Sequence, residues 1–255
     1  MGQRTSHPPG TFSWTDLATP DLDGAEAFYN GLFGWEHEDM PIPDGGVYRM
    51  LRQNGADVAG AGVTQEGQHP AWLSYVTTDD VDATARRAGE LGASVMMEPF
   101  DVMESGRMAL LQDPTGAVFA LWQPIQHIGA GEVNGPGALT LNQLNTSDPE
   151  RAAQFYSDLF GWRADQMEGG DDPYWGLYNG DRVNGGMMNL PGGGGMPSHW
   201  LVYFGTDDID GAADRIGDLG GTIMIPTMEV PGGKILIAQD PQGAIFGLFA
   251  GRFDD

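Results

Sequence analysis

Asp21-Leu-Asp-Gly-Ala-Glu-Ala-Phe-Tyr-Asn-Gly-Leu-Phe-Gly-Trp35 returns 127 residues later as Asp148-Pro-Glu-Arg-Ala-Ala-Gln-Phe-Tyr-Ser-Asp-Leu-Phe-Gly-Trp162. Asp113-Pro-Thr-Gly-Ala-Val-Phe119 recurs at the same offset as Asp240-Pro-Gln-Gly-Ala-Ile-Phe246. Between them, Trp72-Leu-Ser-Tyr-Val-Thr-Thr-Asp-Asp-Val-Asp82 matches Trp200-Leu-Val-Tyr-Phe-Gly-Thr-Asp-Asp-Ile-Asp210. Several landmarks repeated in one order mean that the chain is a tandem duplication.

Working outward from these landmarks, each half repeats again. Asp21 to Leu32 and Asp80 to Leu91 both read as helices opened by an Asp N-cap, whose side chain can accept from a free first-turn N–H. In the first, Leu22, Ala25, Phe28, Tyr29 and Leu32 share one helical face. Pro149 follows Asp148, where a first-turn proline is tolerated. Alternating strands precede the helices, at Phe12 to Ala18 and Trp72 to Thr77. Asn54-Gly55 and Asn179-Gly180 mark hairpins after them. The unit is strand, helix, three strands, four times over, with the helices expected outside a curved sheet. Asp-Pro-x-Gly reads as a turn, Pro setting φ and Gly permitting positive φ. The Gly-rich stretch 126–137, carrying Pro136, is expected to be a linker between domains at 11–125 and 138–250.

Composition narrows the partners. The 255 residues include 36 acidic and 12 basic ones, a net charge of −24. Such a surface repels phosphate backbones and anionic headgroups, so neither nucleic acid nor membrane is expected as a partner. No cysteine is present, which removes disulfides, thiol nucleophiles and thiolate metal sites. The first ten residues are polar without an apolar stretch, and no segment approaches a membrane span. A cytoplasmic protein is expected, a monomer or homodimer acting on a small molecule.

These motifs carry a resemblance. Phe-Tyr-x-x-Leu-Phe-Gly-Trp after a strand and Asp-Pro-x-Gly-Ala before the last strand, each present twice, resemble the vicinal oxygen chelate superfamily of glyoxalases, bleomycin resistance proteins and extradiol dioxygenases. The likeness runs from about residue 11 to residue 250. The Trp14-Thr-Asp-Leu-Ala-Thr19 entry and the His199-Trp200 pair resemble its two-domain actinobacterial branch, described as glyoxalase-like proteins or hydroxylases. The fold implied is α+β: a tandem pair of glyoxalase-like domains, each of two βαβββ units forming a curved, partly closed sheet around a cavity. The function implied is open, because this fold hosts lyases, isomerases, ring-cleaving oxygenases and non-catalytic drug binders.

The resemblance also implies where a divalent metal would sit. Counting from the matched landmarks, the ligand positions fall on Trp14, Leu73 and Ala120 in the first domain and on Leu141, Leu201 and Gly247 in the second. None of these side chains ligates a divalent ion, so no metal or other cofactor is expected.

Side chains two apart on a strand share a face. The face that would carry the metal therefore displays Trp14, Asp16, Leu73, Tyr75, Ala120 and Trp122 in the first domain. In the second it displays Leu141, Gln143, His199, Leu201, Tyr203 and Phe249. These are aromatic-lined cavities with few polar anchors, suited to an apolar or aromatic metabolite, although ordinary core packing also accounts for the aromatics. Asp16, flanked by Trp14 and Leu73, is costly to bury and should have a raised pKa, suited to an acid or base near neutral pH. The bland alternative is a carboxylate held by Arg107 or by backbone N–H groups. Arg107 and Lys234 follow a glycine at matched points and are placed at the cavity mouths. Met96, Met97, Met103 and Met108 suggest a plastic wall, and Gly192 to Gly195 a lid. His37, His69 and His127 read as loop or edge residues.

The expected function is a metal-independent enzyme of secondary metabolism, of lyase, isomerase or hydroxylase type, with Asp16 as acid/base and Tyr75 and Arg107 orienting a carbonyl or phenol. Trp14, Leu73, Met108, Trp122, Gln143, His199, Tyr203, Lys234 and Phe249 are the candidate ligand contacts. The alternative is a non-catalytic protein that sequesters its ligand, as in drug resistance; a metal-dependent lyase or dioxygenase ranks third.

Overall fold

The computed structural model describes residues 2–43, 45–167, 172–190 and 196–252. The first half comprises β1 (Gly2–Gln3), β2 (Phe12–Thr19), α1 (Leu22–Phe33), β3 (Glu36–Pro41), β4 (Val47–Gln53), β5 (Ala56–Val63), β6 (Ala71–Thr77), α2 (Val81–Glu90), β7 (Ser94–Val102), β8 (Gly106–Gln112) and β9 (Val118–Pro124). A short β10 (Glu132–Val133) lies in the connection. The second half comprises β11 (Leu139–Thr146), α3 (Pro149–Phe160), β12 (Arg163–Met167), β13 (Tyr174–Asn179), β14 (Arg182–Asn189), β15 (His199–Gly205), α4 (Ile209–Asp218), β16 (Thr222–Val230), β17 (Gly233–Gln239) and β18 (Ile245–Gly251).

Local chemistry explains the helix ends. Asp21, Asp80, Asp148 and Asp208 each accept from a first-turn backbone N–H, as N-cap carboxylates do. Gly34 and Gly161 end α1 and α3 in the left-handed conformation, at φ 75° and 74°, which a side chain would disfavour. That reversal swings Trp35 and Trp162 back under their helices, where both are buried.

Each half forms one open mixed sheet. The orders are β3-β4-β5-β2-β6-β9-β8-β7 and β12-β13-β14-β11-β15-β18-β17-β16, and β10 and β1 extend the second sheet beside β11. The central strands β2 and β6 run antiparallel, as do β11 and β15, while β6 pairs parallel with β9 and β15 with β18.

The helices cover one face of each sheet, but they do not form the outside of the molecule. One core joins α1, Leu17 and Ala59 of the first half to α4, Phe204 and Phe246 of the second. The other joins α2, Phe119 and Leu121 to α3, Leu144 and Trp200. The helices are thus shared between the halves, because each apolar stripe needs a second surface to leave water. The Asp-Pro turns take part in this seam. Tyr29 of α1 donates to Asp240 at 3.0 Å, and Tyr156 of α3 donates to Asp113 at 2.9 Å. Each tyrosine oxygen accepts in turn from Trp72 or Trp200, at 3.0 and 2.9 Å. A turn motif that looked purely local therefore ties one half to the other.

The connection is packed rather than free. Ala130 and Val133 lie against Trp14, Tyr75 and Trp122 on the helix-free face of the first sheet. His7 is buried and donates from Nε2 to the Ala130 carbonyl at 2.8 Å.

Candidate functional site

Strand parity decides which side chains reach the helix-free faces. In β2, Leu17 enters the shared core, so Trp14 and Asp16 point the other way. In β6, Trp72 and Val76 enter the shared cores, and Leu73 and Tyr75 face Asp16. In β4, Arg49 is bonded to Asp23 and the Leu22 carbonyl of α1, which sends Tyr48 to the helix-free side.

Three donors meet at Asp16. Trp14 Nε1 donates to Oδ1 at 2.8 Å, Tyr75 donates to Oδ2 at 2.6 Å, and Tyr48 donates to Oδ1 in a short hydrogen bond. Gly60 of β5 makes this possible: a methyl group there would overlap the Tyr48 hydroxyl and crowd the Asp16 carboxylate. Burial raises the Asp16 pKa above its ordinary 3.8, and the three donors pull it back only in part. Burial, with the Asp16 charge next, lifts both Tyr48 and Tyr75 well above the usual phenol value. The arrangement is a carboxylate held by neutral donors with no cation bonded to it among the described residues, which keeps it basic enough to accept a proton. His127 of the connection stacks edge-on to Trp14 at 4.6 Å, and its carbonyl accepts from Trp122 Nε1 at 2.9 Å. Indole rings and connection together wall the cluster.

The second half repeats the scaffold and changes the centre. Gln143 replaces Asp16 in register, and its carboxamide turns to donate to Asn145 at 2.9 Å. Asn145 bonds His199 Nε2 at 3.2 Å, and His199 Nδ1 donates to the Pro197 carbonyl at 2.9 Å. His199 is thus a hydrogen-bonded element of a polar chain beside β11. Tyr174 and Tyr203 occupy the places of Tyr48 and Tyr75. Burial pushes Tyr174 up to about 12. Burial foremost, and then nearby Tyr174, lifts Tyr203 higher still.

Several expectations change. Arg107 lies on the helix-covered side of β8, forked onto Asp82 of α2 at 2.8 and 2.9 Å and bonded to Asp101 at 2.8 Å. It therefore neither orients a ligand at Asp16 nor neutralises that carboxylate; the parity that turns Met108 inward turns Arg107 outward. Lys234 stands at the matching place on β17 and faces Glu229 at 3.6 Å. The other methionines do not form a wall: Met96, Met97 and Met103 are exposed, and only Met108 packs near Trp122. His127 is an inner contact rather than an edge residue. Residues 192–195, expected as a lid, lie outside the described residues. Leu73 and Trp122 line the first face as expected, and Phe249 follows Gly247 by two on β18, opposite Ile235.

The metal site that the resemblance implies has no ligands at these positions. Trp14, Leu73 and Ala120 face the first site, and Leu141, Leu201 and Gly247 take the matched places in the second. None offers a donor for a divalent ion. Among the described residues, no group of three His, Cys, Asp or Glu is placed to hold one. The donor set does not suit a divalent metal.

The model of the glyoxalase/bleomycin resistance protein/dioxygenase superfamily matches residues 11–121 and again 126–248. The chain belongs to that superfamily. Within it, CFP32 of Mycobacterium tuberculosis, which carries the provisional name of a glyoxylase, is 40% identical over 255 residues and covers 97% of each chain. The anthracycline biosynthesis protein DnrV of Streptomyces peucetius is 34% identical over 261 residues, covering 96% of this chain and 94% of its own. Among solved structures, the Mn(II)-bound glyoxalase from Novosphingobium aromaticivorans aligns with a TM-score of 0.69 at 18% identity, over 97% of this chain and 85% of that one. The 2,3-dioxygenase LapB from Pseudomonas sp. KL28 aligns with a TM-score of 0.67 at 15% identity, over 96% and 94%. At these identities the solved structures establish the superfamily fold alone.

No helix among the described residues is long and apolar enough to cross a membrane. Tyr48 and Tyr174 escaped the sequence reading. A signal was available: each hydroxyl lies over a glycine of the neighbouring strand, Gly60 or Gly186, at a matched spacing in the chain.

Proposed function

We propose that this superfamily member is a metal-independent enzyme of secondary metabolism acting on a small aromatic or apolar compound with a carbonyl or phenol oxygen. Asp16 is its acid/base. The observation that carries this is the Asp16 carboxylate itself, bonded by Trp14, Tyr48 and Tyr75 and paired with no cation among the described residues. Burial raises its pKa, so it takes a proton more readily than a surface carboxylate. When Asp16 removes a proton from substrate carbon or oxygen, a hydroxyl of Tyr48 or Tyr75 is free to donate to the substrate oxygen on which negative charge develops. An isomerase follows when the protonated Asp16 returns the proton to a different carbon of the enolate. A lyase follows when the enolate re-forms its carbonyl as the bond to a β-leaving group breaks and Asp16 gives that group the proton. The similarity to an anthracycline biosynthesis protein supports an aromatic polyketide-like substrate class.

Asp16→Asn is the test, read by turnover and by ligand binding on candidate aromatic ketones and phenols. Loss of turnover with binding retained supports the enzyme. Binding without turnover across the panel in the wild type favours a ligand-sequestering protein. Stoichiometric divalent metal in protein purified without chelator overturns metal independence.

A further inference from the structure

In the second half two phenol hydroxyls bond no described residue, and one of them is fully buried. Tyr203 is fully buried, and its hydroxyl has no hydrogen-bond partner among the described residues. Tyr174 also donates to no described residue, and its hydroxyl lies over Gly186, where a methyl group would overlap it. The first half shows what this geometry is built around. There the matched hydroxyls of Tyr48 and Tyr75 converge on the Asp16 oxygens, with Gly60 beneath Tyr48. Asp16 is Gln143 in the second half, and that side chain is drawn away to Asn145. The acceptor is missing while both donors remain. A buried hydroxyl without a partner is costly and rare in a folded protein.

We propose that the helix-free face of the second half binds an uncharged aromatic ketone whose carbonyl oxygen occupies the place of the Asp16 carboxylate and accepts from Tyr203 and Tyr174. A carbonyl oxygen has two lone pairs and takes two donors. The surroundings favour a neutral ligand. Leu141 and Leu201 lie beside Tyr203 and Gln143 in the strand register, and Met188 lies opposite Tyr174. Among the described residues, no lysine or arginine bonds any of these three polar side chains, and Lys234 sits on the other side of the sheet. An anion would enter a protein of net charge −24 with no cation to meet it. The second half is therefore a binding site of its own, independent of the chemistry assigned to Asp16.

The probe is 1-tetralone, compared with tetralin, which lacks the oxygen, and with 1-naphthoate, which carries a charge. Calorimetric titration is expected to show saturable binding of 1-tetralone to the wild type. Tetralin and Tyr203→Phe should each bind at least about tenfold more weakly, the loss of one good hydrogen bond. The carbon-13 carbonyl resonance of labelled 1-tetralone should move downfield in the wild type and less in Tyr203→Phe. Without ligand, Tyr203→Phe should melt higher than the wild type, because it deletes an unpaired buried hydroxyl. Tetralin or naphthoate binding as tightly as the ketone overturns the proposal, and so does no saturation below about 1 mM. If Asp16→Asn abolishes ketone binding and Tyr203→Phe does not, the ketone sits in the first half. That outcome sinks this inference and leaves the reading of Asp16 standing.

Discussion

The two halves of the chain agree on one face and disagree on the other. On the helix-covered faces, Tyr29 with Asp240 and Tyr156 with Asp113 repeat the same bond to within 0.1 Å, and Trp72 and Trp200 repeat the donor behind it. On the helix-free faces, Asp16 collects three donors and Gln143 collects none of the matching ones. The reason is packing. Each helix-covered face must fit the other half, so a change on one side leaves a cavity or an orphaned polar atom on both. The helix-free face answers to no such partner, and its central residue has diverged.

That contrast is exposed to measurement. The largest effect is expected at the diverged centre: Asp16→Asn should lower turnover by about 10²- to 10⁴-fold, the usual weight of a general acid or base, while Gln143→Ala leaves the rate unchanged. Equal losses from both variants would make the halves functionally alike. Next come the two seam tyrosines. Tyr29→Phe and Tyr156→Phe each strand a buried carboxylate oxygen and an indole N–H, at a cost of about 1–3 kcal/mol in urea unfolding. The two values should match, and a gap above about 1 kcal/mol would show that the seam is not equivalent on its two sides.

A smaller effect carries a sign that sharpens the comparison. Tyr75→Phe removes a bond to Asp16 and should destabilise by about 1–3 kcal/mol, whereas Tyr203→Phe removes an unbonded hydroxyl and should stabilise by about 1 kcal/mol. The same sign for both would refute the difference between the two centres. The smallest effect is in pH. An acid whose folded pKa lies above its ordinary value binds its proton more tightly when folded. The Asp16 contribution is then greatest below 3.8 and falls as pH rises through the window from 3.8 to the raised value. The stability difference between wild type and Asp16→Asn should fall with rising pH across that window and then level off. A difference that grows with pH would mean that the three donors outweigh burial.

Much of this was legible in the residues. The duplication, the Asp-capped helices and the Asp-Pro-x-Gly turns follow from local rules, since a cap or a turn is decided within a few positions. Asp16 was legible as an inward carboxylate because strand parity alone puts it beside Trp14. Arg107 was misplaced because a glycine landmark says nothing of parity, and one residue decides which face a strand side chain occupies. Tyr48 was overlooked because its partner lies 32 residues away on a non-adjacent strand, and no pattern in a single strand reveals such a meeting. His127 looks like a loop residue by composition, and only the folding of the connection onto the first sheet makes it a half-buried contact of Trp14.

By itself, the amino-acid order determined the repeated unit, its helix and turn ends, and which positions of each strand share a face, because these depend on neighbours within one turn or two residues. Only the tertiary structure decided that the helices of one half complete the core of the other. It also decided that Asp16 is held by tyrosines and an indole instead of an arginine, and that Tyr203 finds no acceptor among the described residues. Each of those facts joins residues far apart in the chain, and burial, which sets their energies, exists only once both sheets have closed over the helices between them.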